Sequence, residues 1–176
     1  MIARRIDGSG DFNRSWDEYK QGFGNTSGEH WLGNEYLHNL TNSRAYKLRF
    51  DLQDWNGNTA YAEYSSFVIE PESDNYRLRL GDYSGTASSD QTVDESNGFL
   101  YHHDNQFSTR DRSVSQSCVV DNAMAGFWYG YCSTVTPTGA YCPTDTCPAG
   151  VNGIIWQGWH GQNSLRALTM MMRPAV

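Results

Sequence analysis

The residues with the most chemistry to offer lie between positions 105 and 133. A polar loop there carries one carboxylate, Asp111, and leads to a cysteine, Cys118. An aromatic cluster of Phe127, Trp128, Tyr129 and Tyr131 then runs into a second cysteine, Cys132. Such a set can bind but has little with which to catalyse. Hydrolysis needs a nucleophile with a positioned base, and the chain holds no G-x-S-x-G elbow, H-E-x-x-H helix or paired-carboxylate motif. The expectation is a non-enzymatic binding face, carried on a sheet built by the chain before it.

All four cysteines fall after residue 117, as Cys118/Cys132 and Cys142/Cys147. Two local disulfides stapling a loop-rich region are the usual practice of secreted proteins. A four-thiolate zinc site is the alternative, but neither spacing is the C-x2-C knuckle that zinc prefers. Disulfides are favoured, and with them an extracellular location. Three glycosylation sequons, Asn13-Arg14-Ser15, Asn25-Thr26-Ser27 and Asn39-Leu40-Thr41, agree with secretion. His102-His103-Asp104 suggests a metal site, yet adjacent strand residues point to opposite faces and do not readily share one ion. A hydrophilic loop is expected there. Asn56-Gly57-Asn58, near Asp51 and Asp54, lacks the Glu that would close a calcium loop and reads as a hairpin turn.

At 176 residues the chain fits one domain with a core of its own. A net charge of −7 supplies no basic stripe for a phosphate backbone, which argues against nucleic acid. No apolar run approaches the roughly 18 residues of a membrane span, and Met1-Ile2-Ala3-Arg4-Arg5 lacks a signal peptide's apolar core.

The elements that must position the face follow from periodicity. Residues 15–24 predict a short helix: Ser15 and Glu18 form a capping box, Trp16, Tyr19 and Phe23 share a face, and Gly22 or Gly24 stops it. A second helix is expected over 33–41, with Leu37 and Leu40 inward. Residues 46–52 alternate apolar and charged, residues 59–69 are β-rich, and 76–81 form a third strand. Short turns between them favour an antiparallel sheet with helices on one side. Residues 84–106 and most of the chain after Cys132 read as loops. The apolar 164–173, with Leu165, Leu168, Met170 and Met172, is expected to return to the sheet as a strand.

These pieces, in this order, resemble the fibrinogen-related domain over nearly the whole chain. The N-terminal signals are Arg4-Arg5-Ile6-Asp7-Gly8-Ser9, Asp11-Phe12, Arg14-Ser15-Trp16, Tyr19 and Gly22-Phe23-Gly24. Glu29-His30-Trp31-Leu32-Gly33-Asn34-Glu35, Ala60-Tyr61-Ala62-Glu63-Tyr64 and Tyr76-Arg77-Leu78 follow. Phe107-Ser108-Thr109, Phe127-Trp128-Tyr129, Asn152-Gly153-Ile154 and Met172-Arg173-Pro174 close the series. The family's first segment, with its own cysteine pair, has no counterpart, so the chain is expected to begin inside the domain.

The resemblance implies an α+β fold: a central twisted antiparallel sheet, short flanking helices and a loop-rich, disulfide-stapled C-terminal subdomain. On that pattern 1–176 is a single domain, with helix and sheet over 1–95, a ligand-binding subdomain over 96–163 and a returning strand over 164–176. It also implies a secreted recognition module. Ficolins and tachylectins use the subdomain in innate immunity, as pattern-recognition lectins for acetylated sugars on microbial surfaces. Fibrinogen uses it for peptide knobs, and angiopoietins for a receptor. A microbial-glycan lectin is the leading expectation, multivalent in the full-length protein, with a protein ligand for a receptor or polypeptide as the alternative.

The family's calcium loop follows Ser-Thr with aspartates in a D-x-D-x-D pattern. Asp111 takes the first position, but Ser113 and Ser115 stand where later carboxylates belong, and the run to Cys118 is short. Counting back from Cys118 instead places Arg110 and Arg112 at ligand positions. The loop is thus read as a degenerate calcium site, a weak or lost ion being as open as a bound one, since hydroxyls do not balance a double positive charge as carboxylates do. By the same resemblance a cis peptide is expected at Tyr131–Cys132, turning an amide toward the ligand. Ser133 replaces the lectins' histidine, and Gly150, followed by Val151, replaces their tyrosine. Asp121 and Asn122 fall on the pocket's rim. An acetyl cup would be built from Tyr129, Tyr131, Val151 and the Cys132 amide, while Trp128 is read as packing.

Overall fold

The computed structural model describes residues 1–88 and 98–176. In chain order the elements are β1 (Ala3–Arg5), α1 (Trp16–Gln21), β2 (Phe23–Gly24), β3 (His30–Trp31), α2 (Asn34–Ser43), β4 (Tyr46–Gln53) and β5 (Thr59–Tyr64). Then come β6 (Phe67–Ile69), β7 (Leu78–Leu80), β8 (Tyr83–Gly85), α3 (Gln116–Asp121), α4 (Gln157–His160) and β9 (Ala167–Pro174). Short 3-10 turns span Glu72–Asp74 and Phe99–His102.

The alternation along β4 is what organises the sheet. Tyr46, Leu48, Phe50 and Leu52 are buried while the residues between them are not, as a half-buried strand requires. The C-terminal strand β9 pairs with β4 on one side and β1 on the other, setting Phe50 against Met170 and Leu52 against Leu168. Apolar residues therefore meet in register on one face. Seven antiparallel strands result, in the order β2-β3-β1-β9-β4-β5-β8. The expected returning strand is present, and it is central.

Helix α1 is capped as its sequence predicts: the Glu18 N–H donates to the Ser15 hydroxyl, and the Ser15 N–H donates to the Glu18 carboxylate. It ends at Gly22, earlier than the aromatic spacing suggested, so Phe23 lies on β2 instead of on the helix. Gly22 has φ +91, and a Cβ there would stand 2.3 Å from the Leu32 carbonyl oxygen, which only glycine avoids. On α2 Leu37 is buried but Leu40 is exposed, contrary to expectation. Thr41, one turn beyond Leu37, takes the inward place. Its hydroxyl donates to the Leu37 carbonyl and accepts from the Ile69 N–H.

Two more expectations are corrected. The run 59–69 is broken at Ser65-Ser66, and β6 leaves the main sheet to pair with β7 in a separate two-stranded one. Within 84–106, β8 forms an edge of the large sheet, and the turn Phe99–His102 drives Phe99 into the core. The rest of that stretch, including the expected boundary at 95/96, lies outside the described residues.

The aromatic core joins the sheet to the C-terminal loops. Phe50 packs on Phe99 and Trp156, and Trp31 packs on Phe107 and Trp128. A buried ion pair crosses the same boundary. Arg5 on β1 lies 3.4 Å from Glu29 and donates to the carbonyls of Pro137 and Gly139. Glu29 Oε1 in turn accepts the N–H groups of Ile6, Asp7 and Gly8, and Oε2 accepts that of Gly10. Burial pushes this carboxyl up, but the backbone donors and Arg5 outweigh it and hold it below its ordinary value.

Candidate functional site

The polar loop begins as a tight reversal. Thr109 and Arg112 exchange backbone hydrogen bonds around Arg110-Asp111, while Ser108 pairs with Phe127. Asp111 Oδ1 accepts from the Thr109 hydroxyl at 2.8 Å and from the Trp16 N–H, at the start of α1, at 2.9 Å. A carboxylate at a helix N-terminus satisfies an orphan donor, so Asp111 ties the loop to α1. Arg112 stacks on Trp16, 3.9 Å from the ring centre, and donates to Glu72 and Asn75. Ser113 Oγ accepts the Ser115 N–H, and the Ser115 hydroxyl donates to the Gly130 carbonyl. This donor set does not fit calcium: its one carboxylate is flanked in sequence by two arginines, and both serine hydroxyls are engaged locally.

Helix α3 then presents Cys118, which is joined to Cys132; Cys142 is joined to Cys147. Both expected disulfides are present, which leaves no thiolate for zinc. Between the first pair, Phe127, Trp128 and Tyr129 are all buried. The Trp128 indole N–H donates to the Tyr76 carbonyl, and the Tyr129 hydroxyl to that of Ala125. The expectation of packing holds for Trp128. Tyr129 is packing as well and is unavailable to an acetyl cup.

Tyr131 is the opposite case. It is 96% exposed, turned outward where the backbone reverses. The expected cis bond is absent, because the described residues contain only trans peptides; instead Cys132 takes φ +62. A left-handed conformation costs a non-glycine residue about 1–3 kcal/mol. It is held by the disulfide, by the Gly130 N–H donating to the Cys132 carbonyl, and by the Tyr101 hydroxyl donating to the Tyr131 carbonyl. Tyr131, Cys132 and Gly130 form one wall of a cavity of about 580 Å³, and residues 114–118 form the other. Val114 at its mouth is 58% exposed, and none of the lining residues is charged.

The remaining expected contacts do not converge on this cavity. Asn122 is buried and donates to the Cys118 carbonyl; it also accepts from the Ser133 hydroxyl at 3.4 Å, which draws Ser133 inward. Asp121 is exposed at the end of α3. Gly150 and Val151 line a different cavity, of about 370 Å³, beside the Cys142–Cys147 bridge.

Sequence reasoning missed His102. Far from lying in a hydrophilic loop, it is fully buried beneath the site. Its Nδ1–H donates to the Trp128 carbonyl at 2.8 Å, and Nε2 accepts the Val135 N–H at 3.3 Å. Burial lowers its pKa to about 4, so it stays neutral at physiological pH. His103 accepts the Leu80 N–H, and Asp104 pairs with Arg79. The signal that was available is Phe99-Leu100-Tyr101, an apolar run leading directly into His102.

A family model described as the C-terminal globular domain of fibrinogen beta and gamma chains matches residues 1–175. The chain belongs to this family. It is 41% identical to angiopoietin-2 of Sus scrofa, with 99% of this chain and 34% of that protein aligned. It is 40% identical to angiopoietin-related protein 7 of Bos taurus, covering 99% and 49%. The chain thus spans between a third and a half of the length of these relatives. Among solved structures, the fibrinogen-like globe domain of human ANGPTL6 superposes with a TM-score of 0.90 at 38% identity, covering 99% of this chain and 77% of that one. Lamprey fibrin D-dimer, complexed with the peptide ligand Gly-His-Arg-Pro-amide, superposes with 0.84 at 35% identity, covering 98% and 60%. The fibrinogen-like globe, mixed helix and antiparallel sheet with two C-terminal disulfides, is the fold expected from sequence.

Proposed function

We propose that this fibrinogen-like globe is the recognition head of a secreted protein ligand, and that it contacts a polypeptide partner through the face around Tyr131. The observation that carries this reading is Tyr131 itself: a large aromatic side chain, 96% exposed on a backbone fixed by a disulfide, beside an uncharged cavity. Rigid exposed tyrosines are preferred anchors at protein interfaces. The relatives compared above are angiopoietins and angiopoietin-related proteins, and the lamprey neighbour is complexed with a peptide. Secretion is supported by the two disulfides, and no described helix is long and apolar enough to cross a membrane.

The glycan-lectin reading has less behind it. Of the expected acetyl cup, Tyr129 is buried and Val151 belongs to another cavity. The test is binding of the multimerised globe to cell surfaces, comparing wild type with Tyr131→Ala and with Tyr36→Ala. Tyr36 is an exposed tyrosine on α2. Loss of an anchor worth about 2 kcal/mol weakens each contact about 30-fold, so Tyr131→Ala is expected to abolish binding and Tyr36→Ala to preserve it. Equal binding by all three would reject the face.

A further inference from the structure

We infer that the loop 109–118 is held by a built-in cation, the Arg112 guanidinium, and folds without the calcium that the family resemblance implies. Asp111 is the loop's one carboxylate, flanked by Arg110 and Arg112, so residues 109–115 carry a net positive charge. A divalent cation is disfavoured there on charge alone. Asp111 Oδ1 is occupied by the Trp16 N–H and the Thr109 hydroxyl.

Arg112 is exposed but lies against a defined set of partners. Its guanidinium lies over one face of Trp16, and Tyr76 stacks on that ring at 5.5 Å and 22°. Planar stacking of this kind suits arginine, which is weakly hydrated and delocalised. Nη1 donates to Glu72 Oε1, and Nη2 donates to the Glu72 carbonyl and to Asn75 Oδ1. Glu72 also accepts the Trp16 indole N–H at 2.7 Å and the Lys20 ammonium at 2.6 Å. Asp74, on the same segment as Glu72, is taken by Arg77 and Gln106. Loop, helix α1 and the 72–76 segment are therefore cross-linked by a protein cation. The arrangement is independent of what the neighbouring face binds.

The test is thermal unfolding in calcium chloride and in excess chelator, for wild type, Arg112→Ala and Arg112→Lys. Wild type is expected to melt at the same temperature in both buffers. Arg112→Ala should melt lower in both by at least about 2–4 °C, and Arg112→Lys between the two, since it keeps the charge but loses the planar fork. Should Arg112→Ala not fold, the wild-type and Arg112→Lys arms still decide. Stabilisation of wild type by calcium that the chelator reverses would overturn the inference. So would an Arg112→Lys variant, with or without its alanine companion, that melts as wild type does.

Discussion

His102 shows how a residue that invites a functional reading can be spent on structure. Its two ring nitrogens join the Trp128 carbonyl to the Val135 N–H, both behind the Tyr131 face. Because its pKa falls to about 4 when folded, against about 6.5 unfolded, the unfolded chain binds more protons between those values. Stability therefore rises with pH across that window. The contribution is complete above about 6.5 and is lost as pH falls toward 4, a change of about 3 kcal/mol. Urea unfolding midpoints measured from pH 7 to 4.5 should fall accordingly, and His102→Gln should flatten the slope. A wild-type profile level over that range would contradict the assignment. A second residue-scale prediction concerns Glu29, whose removal strands a buried guanidinium. Glu29→Gln is expected to cost about 3–5 kcal/mol, read as a lower denaturation midpoint; a loss under 1 kcal/mol would mean that Arg5 finds other partners.

At the scale of elements, what was legible is what has a period. The alternation of β4 and the apolar positions of β9 were plain in the sequence, as was the capping box of α1. The C-terminal loops were not, because they satisfy their backbone without ladders. Isolated bridges such as Val135↔Trp156 and Ala140↔Gly153 have no repeat to detect. Thr134, Thr136 and Thr138 are buried with their hydroxyls donating to the carbonyls of Gly98, Gly153 and Gly126. Side chains there do the work that neighbouring strands do elsewhere. The same limit hid the site: residue types located the Tyr131–Cys132 corner, while only coordinates separate exposed Tyr131 from buried Tyr129. The register of β9 gives a direct check. Met170→Ala, in the core opposite Phe50, should cost about 2–5 kcal/mol. Met171→Ala, on the other face, should cost about 1 kcal/mol or less. Similar losses would contradict the pairing.

At the scale of the whole molecule, the sheet's central strand is the last segment of the chain, and the Arg5–Glu29 pair fastens the first strand to the loops. The Tyr131 corner thus sits on a frame in which β1 and β9 are paired side by side. One uncharged cavity and one exposed tyrosine make a modest contact surface, so useful affinity is expected to come from several heads presented together. The most direct measurement of the central claim is competition on cells. Multimerised wild-type globe and Tyr131→Ala are compared with and without millimolar N-acetylglucosamine, before and after the cells are treated with protease. The account predicts wild-type binding that the sugar leaves intact, that protease treatment removes, and that Tyr131→Ala lacks. Binding displaced by N-acetylglucosamine and surviving protease would contradict it and return the face to the lectins.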